Sequence, residues 1–370
     1  MGSFKSISLF ESGELHCWEQ SPIDLLKHNE WLSNKIIKSN LDIIFLEVNS
    51  YRNLRLRTIP SNRILELKRF ILKGTNTVED KLFIISFLGE GVTYKIGLPL
   101  IDELKTLGVH EGNIRLLYTT TDLPPKNIPH ISFWEQYAKI PIVNPVNRTP
   151  PPTFTKHFLC LVRNIKKERL IFLESLSKYS WWEDRNVIDM SFGTADNPFD
   201  TINDFDPNVI KKLPIVFDMG VVSDEDQHMD LPTHMTTQLI NVVVETFISN
   251  KSGIESQGYF TEKCMKPFYY NQLPIFIGQT GIVKLIRSLG FDVFDDYFEG
   301  HYYDDINDTA TRINEVTKLM DRKVNEGINL TEITNSYRDR LILNYQHLLK
   351  WDDEINKIGG NKLHSLIFEN

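Results

Sequence analysis

A carboxylate and an ammonium group stand side by side in Glu262-Lys263, at the start of a predicted helix. Thr261, directly before them, is suited to cap that helix, whose first N–H groups lack intrahelical partners and attract anions. Cations neutralise the oxygens of a diphosphate, and a carboxylate accepts hydrogen bonds from the hydroxyl groups of a ribose. This pattern indicates a site for an anionic ligand such as a sugar nucleotide. The alternative is ordinary helix capping, because acidic residues favour first turns.

Lys263 supports the functional interpretation, because a cation in the first turn opposes the helix dipole by a few tenths of a kcal/mol. Its position therefore indicates an anion nearby. Tyr259 and Lys266 belong to the same stretch, residues 258–267, and complete the predicted set of ligand-binding residues around Lys263. Pro267 would clash inside a long helix, so the helix is predicted to kink or restart close to the site.

A second cationic segment follows a predicted strand at 157–162. Four basic side chains lie there within seven residues, at a strand-to-helix junction where phosphate oxygens would also meet free N–H groups: Arg163, Lys166, Lys167 and Arg169. A solvated polar loop is the alternative. Glu245, at the end of the apolar strand 240–245, is either a solvated strand end or a ligand contact.

The elements around these residues predict an α/β fold. Strands at 240–245 and 273–278 flank the stretch 258–267 and form a βαβ unit with it. Ligands of open parallel sheets lie beyond the carboxyl ends of the strands, which is where the charged residues fall. The same half of the chain is predicted to hold mixed short elements over 186–230 and helices at 169–179, 281–289, 309–323 and 331–351.

The first third of the chain alternates between strands and helices in the same way. Strands are predicted at 41–48, 81–88 and 113–118, and helices at 61–72 and 98–107. This order implies another parallel sheet. The proline-rich segment 140–155 excludes helix and interior strand, so it is the best linker candidate in the chain.

Length and composition agree with two globular domains. The chain has 370 residues, of which 41% are hydrophobic and 24% charged. We predict an N-terminal domain over residues 1–150 and a second domain, which carries the predicted sugar-nucleotide site, over 151–325. Residues 326–370 are predicted to form C-terminal helices, whose packing back on the N-terminal domain is left open.

Charge, cysteines and motifs limit the classes of function. The formal charge of −8 argues against broad nonspecific binding to nucleic acid. Cys17, Cys160 and Cys264 are too few and too scattered for a disulfide framework or a metal site. No apolar run reaches the roughly 18 residues of a membrane span, and the N-terminus lacks a secretory layout, so a cytoplasmic protein is expected. No Gly-x-Gly-x-x-Gly follows a predicted strand, which disfavours a dehydrogenase.

Three segments together resemble a known family. Phe260-Thr261-Glu262-Lys263, with Val244-Glu245-Thr246 before it and Leu273-Pro274-Ile275-Phe276-Ile277-Gly278 after it, resembles the donor-binding signature of family 10 glycosyltransferases, the α-1,3-fucosyltransferases. The chain is closer still to their virus- and phage-encoded relatives, which carry a Thr-Glu-Lys…Lys-Pro element and then a segment like Leu289-Gly290-Phe291. Residues 158–164 with Arg169 resemble the opening of the same domain, and the resemblance covers residues 155–305.

The resemblance implies a GT-B architecture, in which two Rossmann-like domains face each other across a cleft. It implies a GDP- or UDP-linked sugar as donor, with no metal and no other cofactor. By position, Arg169 and Lys263 would hold the diphosphate and Glu262 the ribose, and Glu245 would lie near the nucleotide or the sugar. The sugar and the base stay open, because the Glu-Asn pair of the fucosyltransferases is replaced by Glu245-Thr246.

An inverting transfer also needs a general base that takes the proton of the acceptor hydroxyl. Glu90, between two glycines at the end of the strand 81–88, is the predicted catalytic residue, with Asp122 as the second candidate. The family that the chain resembles places a Gly-Glu element at a comparable strand end. A turn residue without catalytic function is the alternative for Glu90, and Glu47 and Glu135 are further candidates.

The sequence thus predicts a nucleotide-sugar-dependent glycosyltransferase, inverting and metal-independent. The acceptor is predicted to be a glycan or a hydroxymethylated DNA base, and the location is the host cytoplasm if the protein is viral. A strip of basic side chains would suit DNA phosphates, although such a run is more often a solvated face: Arg52, Arg55, Arg57, Arg63, Lys68 and Arg69. The alternative function is a non-catalytic module of the same fold that binds nucleotide sugars or glycans. The oligomeric state is left open.

Overall fold

A computed structural model of the chain describes residues 3–8, 26, 29–39, 41–47, 65, 67–69, 81–87, 98–118, 127–132, 153–162, 165–193, 205–216, 237–245, 248, 260–327 and 329–369. The chain divides into two compact units. The first unit comprises Met1–Lys139, Gly253–Glu255 and Asp352–Asn370, and the second comprises Ile140–Ser252 and Ser256–Trp351. The first unit is therefore built from both ends of the chain.

The described strands of the first unit form one parallel sheet in chain order. They are β1 (Ser3–Ser8), β2 (Asp42–Glu47), β3 (Lys81–Phe87), β4 (Ile114–Tyr118) and β5 (His130–Ser132). The described helices are α1 (Glu30–Lys38) and α2 (Leu98–Thr106). The three strands predicted over 41–118 and the helix predicted at 98–107 occur with ends shifted by no more than one residue, whereas β1 and β5 were not predicted. Residues 65 and 67–69 of the helix predicted at 61–72 are described, and they are helical.

The second unit holds a sheet whose strand order reverses. Its strands are β6 (Lys156–Val162), β7 (Ile188–Phe192), β8 (Ile215–Val216), β9 (Gln238–Val244) and β10 (Leu273–Ile277). Their spatial order is β10-β9-β6-β7-β8, and all neighbours are parallel except β7 and β8. Counted within the unit, this is the 3-2-1-4-5 order of a doubly wound sheet, with its switch point between β6 and β9. A mixed α/β fold with two largely parallel sheets, as predicted, is confirmed.

The register brings the carboxyl ends of the central strands to one level. Cys160 lies opposite Val242 in the pairing of β6 with β9, and Val244 lies opposite Ile277 in the pairing of β9 with β10. Every residue of β9 and β10 is buried, which explains why both strands read as continuous apolar runs. Groups that follow these strands in the chain are thus gathered at one edge of the sheet.

The helices of the second unit are joined to one another by polar contacts, and an aromatic contact joins the segment after α3 to the sheet. They are α3 (Lys167–Leu176), α4 (Pro207–Ile210), α5 (Lys266–Tyr269), α6 (Ile282–Ser288) and α7 (Thr309–Asn325). The Ser175 hydroxyl of α3 lies 2.8 Å from the Thr317 hydroxyl of α7. Trp181 stacks on Phe158 and donates its Nε1–H to Asp321 at 2.8 Å. Trp181 and Trp182 are both buried and belong to the core.

The last helix, α8 (Leu330–Phe368), is 39 residues long, so the predicted end at residue 351 is wrong. Glycines at 359 and 360 lie inside it, although each costs about 1 kcal/mol relative to alanine in a helix. The helix continues because its last turns are apolar on one side. Leu363, Leu366 and Ile367 join the core of the first unit, together with side chains of α1, β2, β3 and β4.

Gly360 is required by a close approach between α8 and Asn29, the residue before α1. A Cβ atom at Gly360 would overlap with the Asn29 side chain, which donates from Nδ2 to the Asn356 carbonyl at 3.2 Å. We expect Gly360→Ala to lower the free energy of unfolding by about 1 kcal/mol, because an overlap of roughly 1–3 kcal/mol exceeds the gain in helix propensity. Urea denaturation measures the change.

The matched control for this prediction is an Asn29→Ala background. There the overlap is gone, and Gly360→Ala is expected to raise the free energy of unfolding by about 1 kcal/mol, the ordinary advantage of alanine over glycine in a helix. The same sign in both backgrounds would contradict the close approach, because the effect of Gly360→Ala would then be independent of Asn29.

Candidate functional site

The switch point of the second sheet is the natural place for a ligand. In open α/β sheets, ligands bind beyond the carboxyl ends of the strands, where neighbouring connections leave the sheet in opposite directions. Here these ends are Val162 of β6 and Val244 of β9. The described strands of the first unit follow one another in chain order and show no such reversal. The predicted donor residues around 169, 245 and 262 therefore converge on the one edge that the described topology favours.

Arg169 lies at this edge and is almost fully buried, with 4% of its surface exposed. The helix α3 begins at Lys167, two residues before the predicted start, so Arg169 falls in its first turn. The Arg169 guanidinium donates from Nε and Nη2 to the Glu245 carbonyl, at 3.3 and 2.9 Å. Nη2 also lies 3.5 Å from the Val244 carbonyl. Arg169 therefore joins the helix after β6 to the end of β9.

Glu245 is fully buried directly after β9. Its Oε1 accepts hydrogen bonds from the Thr261 backbone N–H at 2.9 Å and from the Cys264 thiol at 3.1 Å. The Thr261 hydroxyl lies 3.0 Å from both carboxylate oxygens. The carboxylate is therefore not the solvated strand end that strand position alone allowed. A direct contact between Glu245 and a donor would require this carboxylate to leave these partners.

Thr261 caps a 3₁₀ helix, Glu262–Met265, as predicted. Its hydroxyl accepts from the Lys263 backbone N–H and, at 3.1 Å, from the Lys263 ammonium. The same ammonium lies 3.4 Å from Oε1 of Glu262. Both side chains are partly exposed, so the pair faces outward while Thr261 is buried. Glu262 is thus one anion near Lys263, and the pair presents both charges at the site.

Lys266 begins α5 directly after this 3₁₀ helix, with Pro267 next to it in the first turn. The predicted restart of the helix at the proline is confirmed. Burial lowers the pKa of Lys266 to about 8, an effect that Lys263 reinforces and the carboxylates of Glu262 and Glu245 oppose. Lys266 therefore changes its charge close to neutral pH, and a bound anion would favour the charged form.

The remaining predicted donor residues are placed as follows. Lys167 is exposed in the first turn of α3, close in sequence to Arg169. Arg163 and Tyr259, predicted to bind the donor, lie outside the described residues, and so do Glu90 and Asp122, predicted to be catalytic. Within the basic strip 52–69, Lys68 pairs with Glu103 and Arg69 is exposed, whereas the other members are not described.

Arg312 of α7 is a buried residue at the same edge that sequence reasoning missed. Its Nε and Nη2 donate to the Gly278 carbonyl directly after β10, at 3.2 and 3.0 Å, and Nη2 also donates to the Ile248 carbonyl at 2.6 Å. Arg312 thereby ties the segment after β9 to the end of β10. The sequence pattern that could have identified Arg312 is its position in the apolar stripe of α7, which continues at Val316 and Leu319.

The two described cysteines are free and buried. Burial raises the pKa of Cys160 to about 12, and burial together with Glu245 raises the pKa of Cys264 well above its ordinary value. Both are therefore neutral thiols at neutral pH. Within the described ranges, no group of three or more His, Cys, Asp and Glu side chains is placed to hold a metal ion.

Comparison with protein-family models, with curated proteins and with solved structures gives no match for this chain. Among the described helices, none combines the length and the apolar content that a membrane crossing requires.

Proposed function

We propose that the second unit binds the nucleoside diphosphate part of a nucleotide sugar at its switch point, and that the protein is a glycosyltransferase of GT-B architecture. The observation that carries the proposal is the grouping of Arg169, Glu262, Lys263 and Lys266 beyond the carboxyl ends of β6 and β9. Three cations and one partly exposed carboxylate match a ligand that has two phosphates and a ribose diol.

The chemistry assigns each charged group a separate task. A leaving diphosphate gains negative charge as the bond to the sugar breaks, and fixed cations stabilise that charge most where water is excluded. Lys263 and Lys266 supply such cations from one turn of helix. The Glu262 carboxylate accepts hydrogen bonds from the ribose hydroxyls. Arg169 is buried against β9, where it holds the sheet edge in place and adds its positive charge beside the proposed diphosphate.

The acceptor side is assigned to the first unit. An inverting transfer needs a general base there, and Glu90 is the residue proposed for it, with Asp122 as the second candidate. The acceptor is proposed to be a hydroxyl of a glycan or of a hydroxymethylated DNA base, and no metal ion is required by the scheme. Binding to duplex DNA that weakens steeply with salt would favour the DNA acceptor.

Nucleoside diphosphates test the proposal directly. GDP or UDP at a hundred times its dissociation constant is expected to stabilise the protein by about 2.7 kcal/mol, seen as a raised melting temperature. Lys263→Ala is expected to weaken that binding by about 10- to 100-fold, because a charge-assisted hydrogen bond contributes roughly 1.5–3 kcal/mol. Calorimetric titration of both proteins measures the loss.

Lys318→Ala is the matched control, since Lys318 is an exposed lysine of α7 that pairs only locally with Glu315 among the contacts described. It should leave the affinity unchanged. A melting temperature that responds to neither GDP nor UDP would contradict the proposed ligand. Binding without release of the nucleoside diphosphate from any nucleotide sugar would instead indicate a non-catalytic binding module.

A further inference from the structure

Glu245 connects three separate segments of the second unit. Its backbone N–H donates to the Ile277 carbonyl at the end of β10, at 2.9 Å. Its carbonyl accepts from the Arg169 guanidinium of α3. Its side chain accepts from Thr261 and Cys264 in and before the 3₁₀ helix. One residue therefore fixes the relative positions of α3, β10 and the turn that carries Lys263.

The connection reaches the Lys263 ammonium through a single hydroxyl group. Lys263 Nζ donates to Thr261 Oγ1 at 3.1 Å, and Thr261 Oγ1 in turn donates to the Glu245 carboxylate at 3.0 Å. Because both Thr261 and Glu245 are buried, the hydrogen bond between them does not compete with bulk water, whereas the bond from the partly exposed Lys263 ammonium is only partly shielded. The direction of the Lys263 side chain thus depends on the Glu245 carboxylate.

A buried carboxylate needs a reason to be present, because its desolvation is costly unless donors replace the lost water. Glu245 has such donors in Thr261 and Cys264. A neutral side chain of equal size would satisfy the backbone N–H of Thr261 as well. A neutral side chain would not supply negative charge beside Lys263 and Lys266. A residue with a purely structural function does not require that charge.

We infer that Glu245 is a positioning residue, whose carboxylate holds the Lys263 ammonium in place at the switch point through the Thr261 hydroxyl. The identity of the anion that this ammonium receives rests on the proposed function, whereas the positioning itself does not. The backbone carbonyl of residue 245 receives the Arg169 guanidinium whatever its side chain, and the carboxylate acts through Thr261 and Lys263. This assignment replaces the predicted contact between Glu245 and the nucleotide or the sugar.

The electrostatic consequence is measurable at Lys266 without any ligand. The charged groups that act on Lys266 are Glu262 and Lys263 of the 3₁₀ helix and Glu245 after β9, and the two carboxylates raise its pKa against the effect of burial. Loss of the Glu245 charge should therefore lower the pKa of Lys266 further below about 8. The ammonium would then be lost at a lower pH, and affinity for an anion would fall with it.

The test compares Glu245→Gln with Asp304→Asn. Asp304 is likewise buried and accepts two backbone N–H groups, from Val283 at 3.1 Å and Lys284 at 3.0 Å, but it bonds to none of the site's cations among the contacts described. Protein with ¹³Cε-labelled lysine is titrated by NMR in the absence of ligand. Glu245→Gln is expected to shift the Lys266 titration to lower pH, whereas Asp304→Asn leaves it at the wild-type value.

The affinity for GDP and UDP is then measured from pH 6 to pH 9. Glu245→Gln is expected to weaken binding about tenfold at pH 8 and to move the loss of affinity to lower pH, in line with one lost charge-assisted contact. A Lys263 ammonium that is reductively methylated at the wild-type rate in a folded Glu245→Gln variant would overturn the positioning assignment. A shifted titration with no binding of either nucleotide by the wild type would support it and contradict the proposed function.

Thr261 provides a second route if Glu245→Gln does not fold. Thr261→Ser keeps the hydroxyl and Thr261→Val removes it at nearly constant shape. Reductive methylation of Lys263, followed by mass spectrometry, is expected to be faster in Thr261→Val and unchanged in Thr261→Ser. Equal rates in the two variants would show that the hydroxyl does not hold the ammonium, and the inference would then fail.

Discussion

Glu90→Gln is expected to lower the rate at which the protein releases nucleoside diphosphate from a nucleotide sugar by about 10²- to 10⁴-fold, the usual contribution of a general base. Glutamine keeps the size and the hydrogen-bonding oxygen of glutamate, but it cannot take a proton at neutral pH. Because Glu90 belongs to the first unit, the affinity of the second unit for GDP or UDP should not change. Steady-state kinetics and calorimetric titration measure these two quantities separately.

Asp122→Asn is the comparison that decides which carboxylate serves as the base. If Glu90 is the base, Asp122→Asn retains most of the wild-type rate. If the loss appears in Asp122→Asn and not in Glu90→Gln, the base is reassigned to Asp122. An unchanged rate in both variants would exclude both residues, and Glu47 and Glu135 would be tested next.

Arg312→Met is expected to lower the free energy of unfolding by about 3 kcal/mol or more, which is large against the 5–15 kcal/mol of a typical protein. Methionine fills much of the space of the arginine stem but donates no hydrogen bond. The carbonyls of Gly278 and Ile248 would then lose the guanidinium that Arg312 aims at them. Urea denaturation followed by circular dichroism gives the difference from the wild type.

Arg322→Met is the control on the same helix. Arg322 pairs with Glu299 at 2.8 Å, but its side chain is 41% exposed, and exposed ion pairs contribute about 0–1 kcal/mol. The two substitutions remove the same charge from α7. The difference between their losses in free energy of unfolding therefore reports the effect of the buried environment of Arg312. Equal losses of stability in Arg312→Met and Arg322→Met would contradict the structural importance of the Arg312 guanidinium.

The sequence predicted an element correctly where the residues of that element alone carry a clear pattern. The apolar runs of β6, β9 and β10 identify strands that are buried on both faces, and Pro267 marks the break between a 3₁₀ helix and α5. Short edge strands such as β5 carry too few residues for a period to appear. The length of α8 was missed because its predicted end was placed at residue 351, whereas the helix continues through the glycines at 359 and 360 to residues that are buried in the core of the first unit.

The candidate site was predictable as a list of charged residues but not as an arrangement. Glu262 and Lys263 could be identified from their neighbours in the chain, whereas the orientation of Glu245 depends on Thr261, 16 positions away. Strand order places these residues together, and hydrophobic periodicity carries no information about strand order. Arg312 illustrates the same limit, because an arginine in an apolar stripe does not reveal which carbonyls it will meet.

The return of the C-terminal residues to the first unit has a consequence for synthesis on the ribosome. The core of that unit includes Leu363, Leu366 and Ile367, which are translated only after the second unit. The first unit therefore cannot complete its core until the second unit has been made, although most of the first unit is translated earlier. The apolar side chains of β2 and β3 lack these partners during that time, so chaperones that shield nascent apolar segments have long access to them.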